Sequence, residues 1–345
     1  MPAKIKDGVP EAGEMNRRDF LKRVGYASAL ALAAGGLGYA LHDAKGPASS
    51  EGPKALAGLG DFTAKGRAPG AAQMAIVRGS DRVLLVDKGV KALGGMAAFI
   101  HKGDRVLLKV NAAFATPASL GATTHPETLA AVADLCFKAG AAQVLITDNP
   151  INNPDSCFEI TGLAQAARAS GARIIPPRLA LFAPLSLPGG RLIQNWPVMA
   201  GAFQGVTKVI IVSPVKDHQR AGASMTLKNL YGFLGGRRNV FHQDINGIIT
   251  ELAQLLKPTL CVLDGTVSMM TNGPTGGSLS DLKDTGTMVI STDPVAADAV
   301  GLELLGHTLA EIPYIQMAAK AGAGQADYRS LNPVVLGTKF KPLKL

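Results

Sequence analysis

Residues 208–242 read KVIIVSPVKDHQRAGASMTLKNLYGFLGGRRNVFH. The apolar run at 209–212 predicts a buried parallel strand, so the polar residues after it are expected where that strand leads into a loop. Against a single acid, Asp217, this polar part carries a set of basic side chains: Lys216, His218, Arg220, Lys228, Arg237, Arg238 and His242. Its glycines at 222, 232, 235 and 236 let the backbone approach a bound group closely. The stretch therefore predicts an anion site, and a basic surface loop without a ligand is the alternative.

The composition of the 345-residue chain is typical of an aliphatic α/β protein, since 47% of its residues are hydrophobic and 5% are aromatic. One large domain or two closely packed ones fit this length. The formal net charge of +9 favours acidic ligands or anionic surfaces. No nucleic-acid partner is expected, because the chain has one Trp, five Tyr and no zinc-finger, RNP or helix-turn-helix signature.

Residues 16–22, NRRDFLK, resemble the twin-arginine export signal, and an uncharged stretch at 24–41 follows them. The resemblance implies that the twin-arginine translocase is a partner and that the protein works in the periplasm or another extracytoplasmic space. We therefore interpret residues 1–44 as the signal region, 45–70 as a linker and 71–345 as the α/β domain. Because no clean A-x-A cleavage site follows the apolar stretch, retention as a membrane anchor is the alternative, although the glycines of the stretch favour removal.

The chain has three cysteines, Cys136, Cys157 and Cys261, and none of them forms a C-x-x-C pair. An iron–sulfur cluster or zinc ion held by four cysteines of this chain alone is therefore excluded. Cys136 and Cys261 are predicted to be core residues, whereas Cys157 lies in a polar stretch and is expected to be exposed. Twin-arginine export is typical of proteins that acquire a cofactor before transport, but the sequence leaves the cofactor unknown.

Strand and helix patterns alternate along the folded part of the chain. Strands are predicted at 74–77, 82–86, 105–110, 143–147, 173–175, 208–212, 259–263 and 287–291. Helices are predicted at 88–100, 126–139, 156–170, 244–256 and 294–305. The alternation predicts a mainly parallel open sheet with helices on both faces. Thr124 and Glu127 have the spacing of a capping box, and Asp293 before Pro294 predicts another helix start.

Polar residues recur where the predicted strands end: Lys109, Asn111, Asp148, Asn149, Lys216, His218, Asp264 and Asp293. The carboxyl ends of the strands form the edge at which open α/β sheets bind ligands. We therefore expect a single pocket that collects Lys109, His125, Lys216, His218, Lys228 and Asp264.

Ligand-binding roles are predicted for Lys109, Asn111, Asp148, Lys216, Lys228, Asn229, Gly273 and Gly276. Lys228 and Asn229 are expected at a helix start whose N–H groups add donors, and the glycine-rich stretch 271–277 is expected to be a lid or an anion-binding nest. Acid–base roles are predicted for His125, His218, His242 and Asp264, since histidine beside lysine suits proton transfer on an anion. No metal is expected, because lysines repel a cation and no H-x-H or H-x-x-x-H pair exists. The alternative is a zinc or other transition-metal ion held by His125, His218 and His242, with Asp148 or Asp264 completing the shell.

Ordered motifs between about residues 70 and 310 resemble the widespread prokaryotic family called domain of unknown function 362. The motifs are K-x-N at 109–111, THPE at 124–127, Asp148, E-x-TGL at 159–163, K-x-H at 216–218, LKNL-x-G at 227–232, His242, KP at 257–258, DG at 264–265, GP-x-G at 273–276 and DP-x-x-x-D at 293–298. Many members carry a ferredoxin-like cysteine-rich segment, so the resemblance implies redox surroundings and a redox partner protein. This chain lacks that segment and has Val110 where proline is usual, which argues against electron transfer through a cluster of its own.

Two functions are consistent with these features. The first is an exported α/β enzyme that acts on a small anionic substrate by Lys/His acid–base chemistry. The alternative is a non-catalytic periplasmic protein that binds a cofactor or serves as an accessory protein of a redox complex. The enzyme is favoured because Lys, His, Asn and Asp at strand ends cost stability when they are desolvated, and inert packing does not require them. No nucleophile–base pair or cofactor fingerprint decides between the two.

Overall fold

The computed structural model describes residues 16–41 and 58–337. The chain divides into two compact units, Met1–Lys54 and Ala55–Leu345. The described part of the first unit is helix α1, Arg17–Leu41, which begins at the paired arginines of the predicted export signal. Among the described helices, none combines the length and the apolar character that a membrane span requires. Residues 1–15 and 42–44 of the predicted signal, and 45–57 of the predicted linker, lie outside the described residues.

The second unit alternates strands and helices from its first described residues onward. In chain order its elements are β1 Gly60–Asp61, β2 Met74–Arg78, α2 Arg82–Ala92, β3 Arg105–Lys109, α3 Pro126–Lys138, β4 Gln143–Thr147, α4 Pro154–Ile160, α5 Leu163–Ser170, β5 Arg173–Ile174, β6 Ala183–Leu185, β7 Trp196–Val198, β8 Lys208–His218, β9 Gly222–Ser224, α6 Thr226–Asn229, α7 Ile245–Leu255, β10 Leu256–Lys257, β11 Leu260–Met269, β12 Leu282–Ser291, α8 Pro294–Leu305, α9 Pro313–Lys320 and β13 Val334–Leu336.

The central sheet has nine strands within the described residues. Eight of them follow the order β13-β2-β12-β11-β8-β3-β4-β5, and β9 pairs with β8. Strands β11, β8, β3, β4 and β5 are mutually parallel, as are β13 and β2, whereas β12 and β9 pair antiparallel with their neighbours. The prediction of a mainly parallel sheet is therefore confirmed.

Helices cover both faces of this sheet, as predicted. Along β8, Val209 and Ile211 pack into one apolar cluster, which also contains buried side chains of α7, α8 and α9. The alternate residues Ile210 and Val212 pack into a second cluster, together with α2, α3 and α5. This separation follows from the alternation of side chains along a strand, and it explains why the strand reads as a continuous apolar run.

The direction in which strands are added to the sheet reverses between β3 and β8. From β3 the chain adds β4 and then β5 on one side, and it later adds β8 and β11 on the other side. In open α/β sheets, a reversal of this kind opens a crevice outside the carboxyl ends of the two central strands. Lys109 and Lys216 lie near these two ends.

The structure corrects several predicted elements. The predicted strand at 82–86 is the first half of helix α2, where Asp81 accepts a hydrogen bond from the Leu84 N–H group. Within this segment Leu85 and Val86 are buried whereas Val83 and Leu84 are exposed, which is the burial pattern of a helix rather than a strand. The predicted helix at 156–170 is two helices, α4 and α5, which Gly162 separates with a φ of 79°.

Two strands that carry predicted site residues, β8 and β11, are longer than predicted. Lys216 pairs with Ser224 of β9 and His218 pairs with Gly222, so both lie on β8 and not in a loop. Asp264 lies within β11 and pairs with Met288 of β12. The predicted strands are too short because the apolar run ends before the strand does. Polar side chains follow the run, but their backbone keeps its hydrogen bonds to the neighbouring strand.

Two local predictions were wrong. The N-cap of α3 is His125, whose Nδ1 accepts from the Glu127 N–H group at 3.3 Å. Thr124 forms no capping box, because its hydroxyl donates to the Val212 carbonyl at 2.8 Å. Cys157 is buried and not exposed, since α4 turns it into the interior. The predicted cap at Asp293 is confirmed, with bonds from the Val295 and Ala296 N–H groups.

Candidate functional site

A cavity of about 420 Å³ lies at the carboxyl ends of β3, β4 and β8, at the point where strand addition reverses. We call it the switch-point cavity. Seven residues with a predicted site role line it: Asn111, Asp148, Lys216, His218, Lys228, Asn229 and His242. Its size is in the range of small-molecule sites.

Lys109 lies directly beneath the switch-point cavity and is fully buried. Its ammonium group donates to three acceptors, Asp148 Oδ1 at 2.8 Å, Asn229 Oδ1 at 2.8 Å and the Val110 carbonyl at 2.7 Å. Burial lowers the pKa of Lys109, and the adjacent Asp148 carboxylate opposes that shift. Because all three N–H groups have acceptors, Lys109 supports the cavity floor and has no donor left for a ligand.

Gly232 allows this buried ion pair to form. A Cβ atom at position 232 would overlap Asp148 Oδ1 and would come within 2.7 Å of Lys109 Nζ. The requirement for glycine here is therefore one of space, since the turn that carries residue 232 passes directly over the pair.

Lys216 and Lys228 are buried and have no carboxylate partner among the described residues. Lys216 Nζ donates to the Ala122 carbonyl and, at 3.3 Å, to the Pro274 carbonyl. Lys228 Nζ lies 4.2 Å from the centre of the Tyr231 ring and makes no hydrogen bond or ion pair within the described part of the chain. Burial lowers the pKa of each lysine to about 7, and neighbouring cations add to the shift.

The two cavity histidines present complementary groups. His218 Nδ1 accepts from the N–H groups of Arg220 and Ala221, both at 3.2 Å, so the neutral ring carries its proton on Nε2. His242 Nδ1 lies 3.2 Å from the Asn239 carbonyl and 3.2 Å from the Tyr231 hydroxyl. Because a carbonyl only accepts, His242 carries its proton on Nδ1 and leaves a lone pair on Nε2.

The histidine rings stack at 17° with their centres 6.0 Å apart. Burial lowers the pKa of His218 to about 3, and the positive charges of Lys228 and Lys216 contribute. Burial and Lys228 also lower the pKa of His242. Both rings are therefore neutral near pH 7, so one offers a donor and the other offers an acceptor.

Tyr231 and Arg238 belong to the site although no site role was predicted for them. The Tyr231 hydroxyl donates to the Arg238 carbonyl, and burial raises the pKa of Tyr231 to about 12. The Arg238 guanidinium donates to the Asn149 carbonyl at 2.6 Å and to the Leu234 carbonyl at 3.2 Å, so it holds two walls of the cavity together. The basic stretch signalled Arg238, whereas Tyr231 stands between apolar residues, where an aromatic side chain usually indicates core packing.

The predicted helix N-terminal donors at Lys228 are not available to a ligand. Helix α6 begins two residues earlier, and its Thr226 and Leu227 N–H groups donate to the Asp298 carboxylate at 2.8 and 3.0 Å. Burial raises the pKa of Asp298 to about 7, although these hydrogen bonds oppose the shift. Asp298 thus fixes α6, so Lys228 reaches the cavity with its side chain and not with its backbone N–H group.

Asn111 keeps a free donor for a ligand. It lines the cavity, and its Nδ2 has no acceptor among the described residues.

His125 and Asp264 do not line the switch-point cavity. They line a neighbouring cavity of about 170 Å³ together with Arg82 and Thr123. Arg82 Nε donates to Asp264 Oδ2 at 3.0 Å. The bonds from Lys216 to Ala122 and from Thr124 to Val212 hold the segment 122–124 against β8. Thr123 and the following His125 line the neighbouring cavity. The predicted single pocket is therefore two cavities.

The predicted glycine positions support the cavity wall. The Gly273 N–H group donates to Asp217 Oδ2 at 2.9 Å, and a Cβ atom at Gly273 would overlap the Asp217 carbonyl. Gly276 has a φ of 59°, and a Cβ atom there would lie 2.6 Å from Met269 Cε. Only Pro274 from this stretch lines the switch-point cavity.

The described residues contain no group of three or more His, Cys, Asp or Glu side chains arranged to hold a metal ion. All three cysteines are buried and free. Burial raises the pKa of the Cys136 and Cys261 thiols, which keeps both in the protonated, unreactive form near pH 7.

Comparison with known proteins gives a relative and a family. The chain is 29% identical over 259 residues to the thylakoid-associated protein sll1697 of Synechocystis sp., and the match covers 73% of this chain and 76% of that protein. The family model described as domain of unknown function (DUF362) matches residues 106–303. That range is more than half of the chain and contains every described residue that lines the switch-point cavity. The chain belongs to the DUF362 family.

Proposed function

We propose that the switch-point cavity binds a small anion and that the protein acts on it by Lys/His acid–base chemistry. One observation supports this most directly: Lys228 is 8% exposed and lines the cavity, and its Nζ lacks a hydrogen bond or ion pair within the described residues. An ammonium group that is largely removed from water and has no partner lowers the stability of the fold, and a bound anion would offset that loss.

The balance of charge around the cavity favours an anionic ligand over a cationic one. Among the described residues, Asp148 is the one acid in the lining, and the Lys109 ammonium neutralises it from below. Lys216 and Lys228 add positive charge, and neither forms an ion pair with a carboxylate of the described residues. An anion between them would raise the pKa of both lysines, so anion binding would be coupled to proton uptake.

The histidines supply the proton transfer in this proposal. His242 Nε2 offers a lone pair that can remove a proton from a bound substrate, and His218 Nε2–H can donate to an oxygen that gains negative charge. Lys228 stabilises such charge electrostatically. The reaction class is therefore proton transfer on a small carboxylate or phosphate compound.

Replacing His242 by asparagine is expected to separate binding from catalysis. The asparagine amide can retain the donor toward the Asn239 carbonyl, whereas the basic Nε2 is lost. Once native mass spectrometry of the exported protein has identified the bound anion, we expect its affinity to change less than about threefold and its turnover to fall at least about 100-fold. His101→Asn is the matched control, because His101 is exposed and lies beyond the opposite, amino edge of the parallel strands. Unchanged turnover in His242→Asn would contradict the acid–base role.

A second candidate is a non-catalytic cofactor-binding or accessory protein of a redox complex. The name of the Synechocystis relative associates that protein with thylakoids, and this association favours an accessory role at a membrane. The same experiment separates the candidates: an anion that binds tightly but is never converted, with equal affinity in wild type and His242→Asn, favours the accessory protein.

We also propose export by the twin-arginine translocase to the periplasm or another extracytoplasmic space. Arg17 and Arg18 are the first residues of α1, within the NRRDFLK stretch. Changing both to lysine keeps their charge, and we expect it to leave the protein in the cytoplasm on cell fractionation. Arg23→Lys is the matched control and should be exported normally. Undiminished periplasmic recovery of the double variant would refute this export route.

A further inference from the structure

A second depression adjoins the switch-point cavity at its mouth. His242 and Asn239 line both of them. The depression has a volume of about 860 Å³ and is lined further by Trp196, Arg220, Arg237, Val240 and Gln243. We call it the outer groove. A ligand that fills the cavity can therefore continue past His242 into the groove.

The outer groove is cationic. Arg220 and Arg237 are exposed, and within the described residues neither guanidinium has an acceptor or a carboxylate partner. Arg220 is close enough to His242 to contribute to the lowered pKa of that ring, after burial and Lys228. No Asp or Glu of the described part of the chain lines the groove. Positive charge thus continues from Lys228 across His242 to the two arginines.

The groove also has a rigid apolar wall. The Trp196 ring packs against Phe241 with their centres 4.4 Å apart, and its Nε1–H donates to the Gly235 carbonyl at 3.2 Å. Val240 is 43% exposed beside it. Two fixed apolar surfaces beside two unpaired guanidinium groups suit a ligand segment that is uncharged along its length and anionic at its end.

We propose that the ligand is an elongated organic anion with two separated anionic groups. One group occupies the switch-point cavity near Lys228, and the other lies in the outer groove on Arg220 and Arg237. The uncharged part passes His242 along Trp196 and Val240. This inference rests on the proposed function, because it assigns the inner anionic group to the same cavity.

The test compares two probes of equal chain length, hexylphosphonate and the hexanediphosphonate that carries a second phosphonate at its far end. We expect calorimetry at low salt to give the wild type roughly tenfold tighter binding of the diphosphonate, since each exposed guanidinium adds a modest charge-assisted contact. Arg220→Ala/Arg237→Ala should remove this advantage and leave hexylphosphonate affinity within about twofold of wild type. Lys228→Met should weaken the binding of both probes.

The control variant is Lys138→Ala/Arg173→Ala, which removes the same charge from exposed residues at the amino edge of the parallel strands. It should keep the full diphosphonate advantage. A wild type that binds both probes equally, or an advantage that survives in the Arg220/Arg237 variant, would overturn the outer subsite while the inner site stands. Failure of both probes to bind the wild type would overturn the proposed function and this inference with it.

Discussion

Asp148→Asn is expected to lower the free energy of unfolding of the second unit by roughly 3–5 kcal/mol. Asp148 is the carboxylate partner of Lys109, which is fully buried, and its other oxygen accepts from the Ala112 N–H group at 2.6 Å. Asparagine keeps the shape but removes the charge, so the Lys109 ammonium group is left without compensation in the interior. Urea denaturation of the full chain, followed by circular dichroism, measures the change.

Two further variants sharpen this prediction. Asp155→Asn makes the same chemical change at an exposed residue of α4 and should cost less than about 0.5 kcal/mol. Lys109→Met combined with Asp148→Asn removes both charges and should recover part of the stability lost in Asp148→Asn. A loss below about 1 kcal/mol in Asp148→Asn would mean that the pair does not support the cavity floor.

Lys228→Met is expected to have the largest effect on binding and little effect on folding. Methionine retains the packing on Tyr231 but removes the charge that faces the cavity. We expect the affinity for sulfate at pH 7 and low salt to fall at least about 100-fold, because a desolvated ammonium is the principal partner for an anion here. Stability without ligand should be unchanged or higher by about 1 kcal/mol, since no buried charge needs to be accommodated.

Calorimetric titration with sulfate and thermal unfolding without it measure the two effects. Lys138→Met, at an exposed position of α3, is the matched control and should change neither. A strong destabilisation of the ligand-free Lys228→Met variant, with sulfate affinity intact, would make Lys228 a packing residue rather than a ligand-binding one.

The lowered pKa values of Lys216 and Lys228 also fix the direction of the pH dependence. An unfolded lysine keeps its proton up to its usual pKa near 10.5, whereas in the folded chain both pKa values are about 7. Between these pH values the folded state binds fewer protons than the unfolded state. Stability without ligand should therefore rise with pH from about 7 to about 10 and should be lowest below pH 7. Anion affinity should change in the opposite direction.

Much of the fold could be predicted from the sequence because its strong patterns are local. The apolar runs of β3, β4 and β8 predict buried strands and no other element. Helices that are long enough to connect parallel strands lie between them. The first half of α2 was mistaken for a strand because Val83, Leu84, Leu85 and Val86 are β-formers or apolar. Only packing reveals that two of them face solvent.

The candidate site was predictable in part. Asn111, Asp148 and Lys216 line one cavity as expected, because polar groups at the carboxyl ends of the neighbouring parallel strands β3, β4 and β8 share one edge of the sheet. His125 and Asp264 lie in the neighbouring cavity because the path of the long loop after β3 separates them, and sequence spacing carries no information about that path. The sequence also does not show that the first N–H groups of α6 are occupied, because their acceptor, Asp298, lies 71 residues away from Leu227 in the chain.

The most direct test of the central claim is calorimetric titration of the full chain with sulfate at pH 8, in buffers of different ionisation enthalpy. Sulfate does not titrate at this pH, so any proton that is taken up goes to the protein. At pH 8 the ligand-free Lys216 and Lys228 are mostly neutral, and a bound anion favours their charged forms. Sulfate binding is expected to take up protons in wild type, and less in Lys228→Met. Absence of binding, or binding whose heat is the same in every buffer, would contradict an anion site built on lysines that are largely buried and have no carboxylate partner in the described part of the chain.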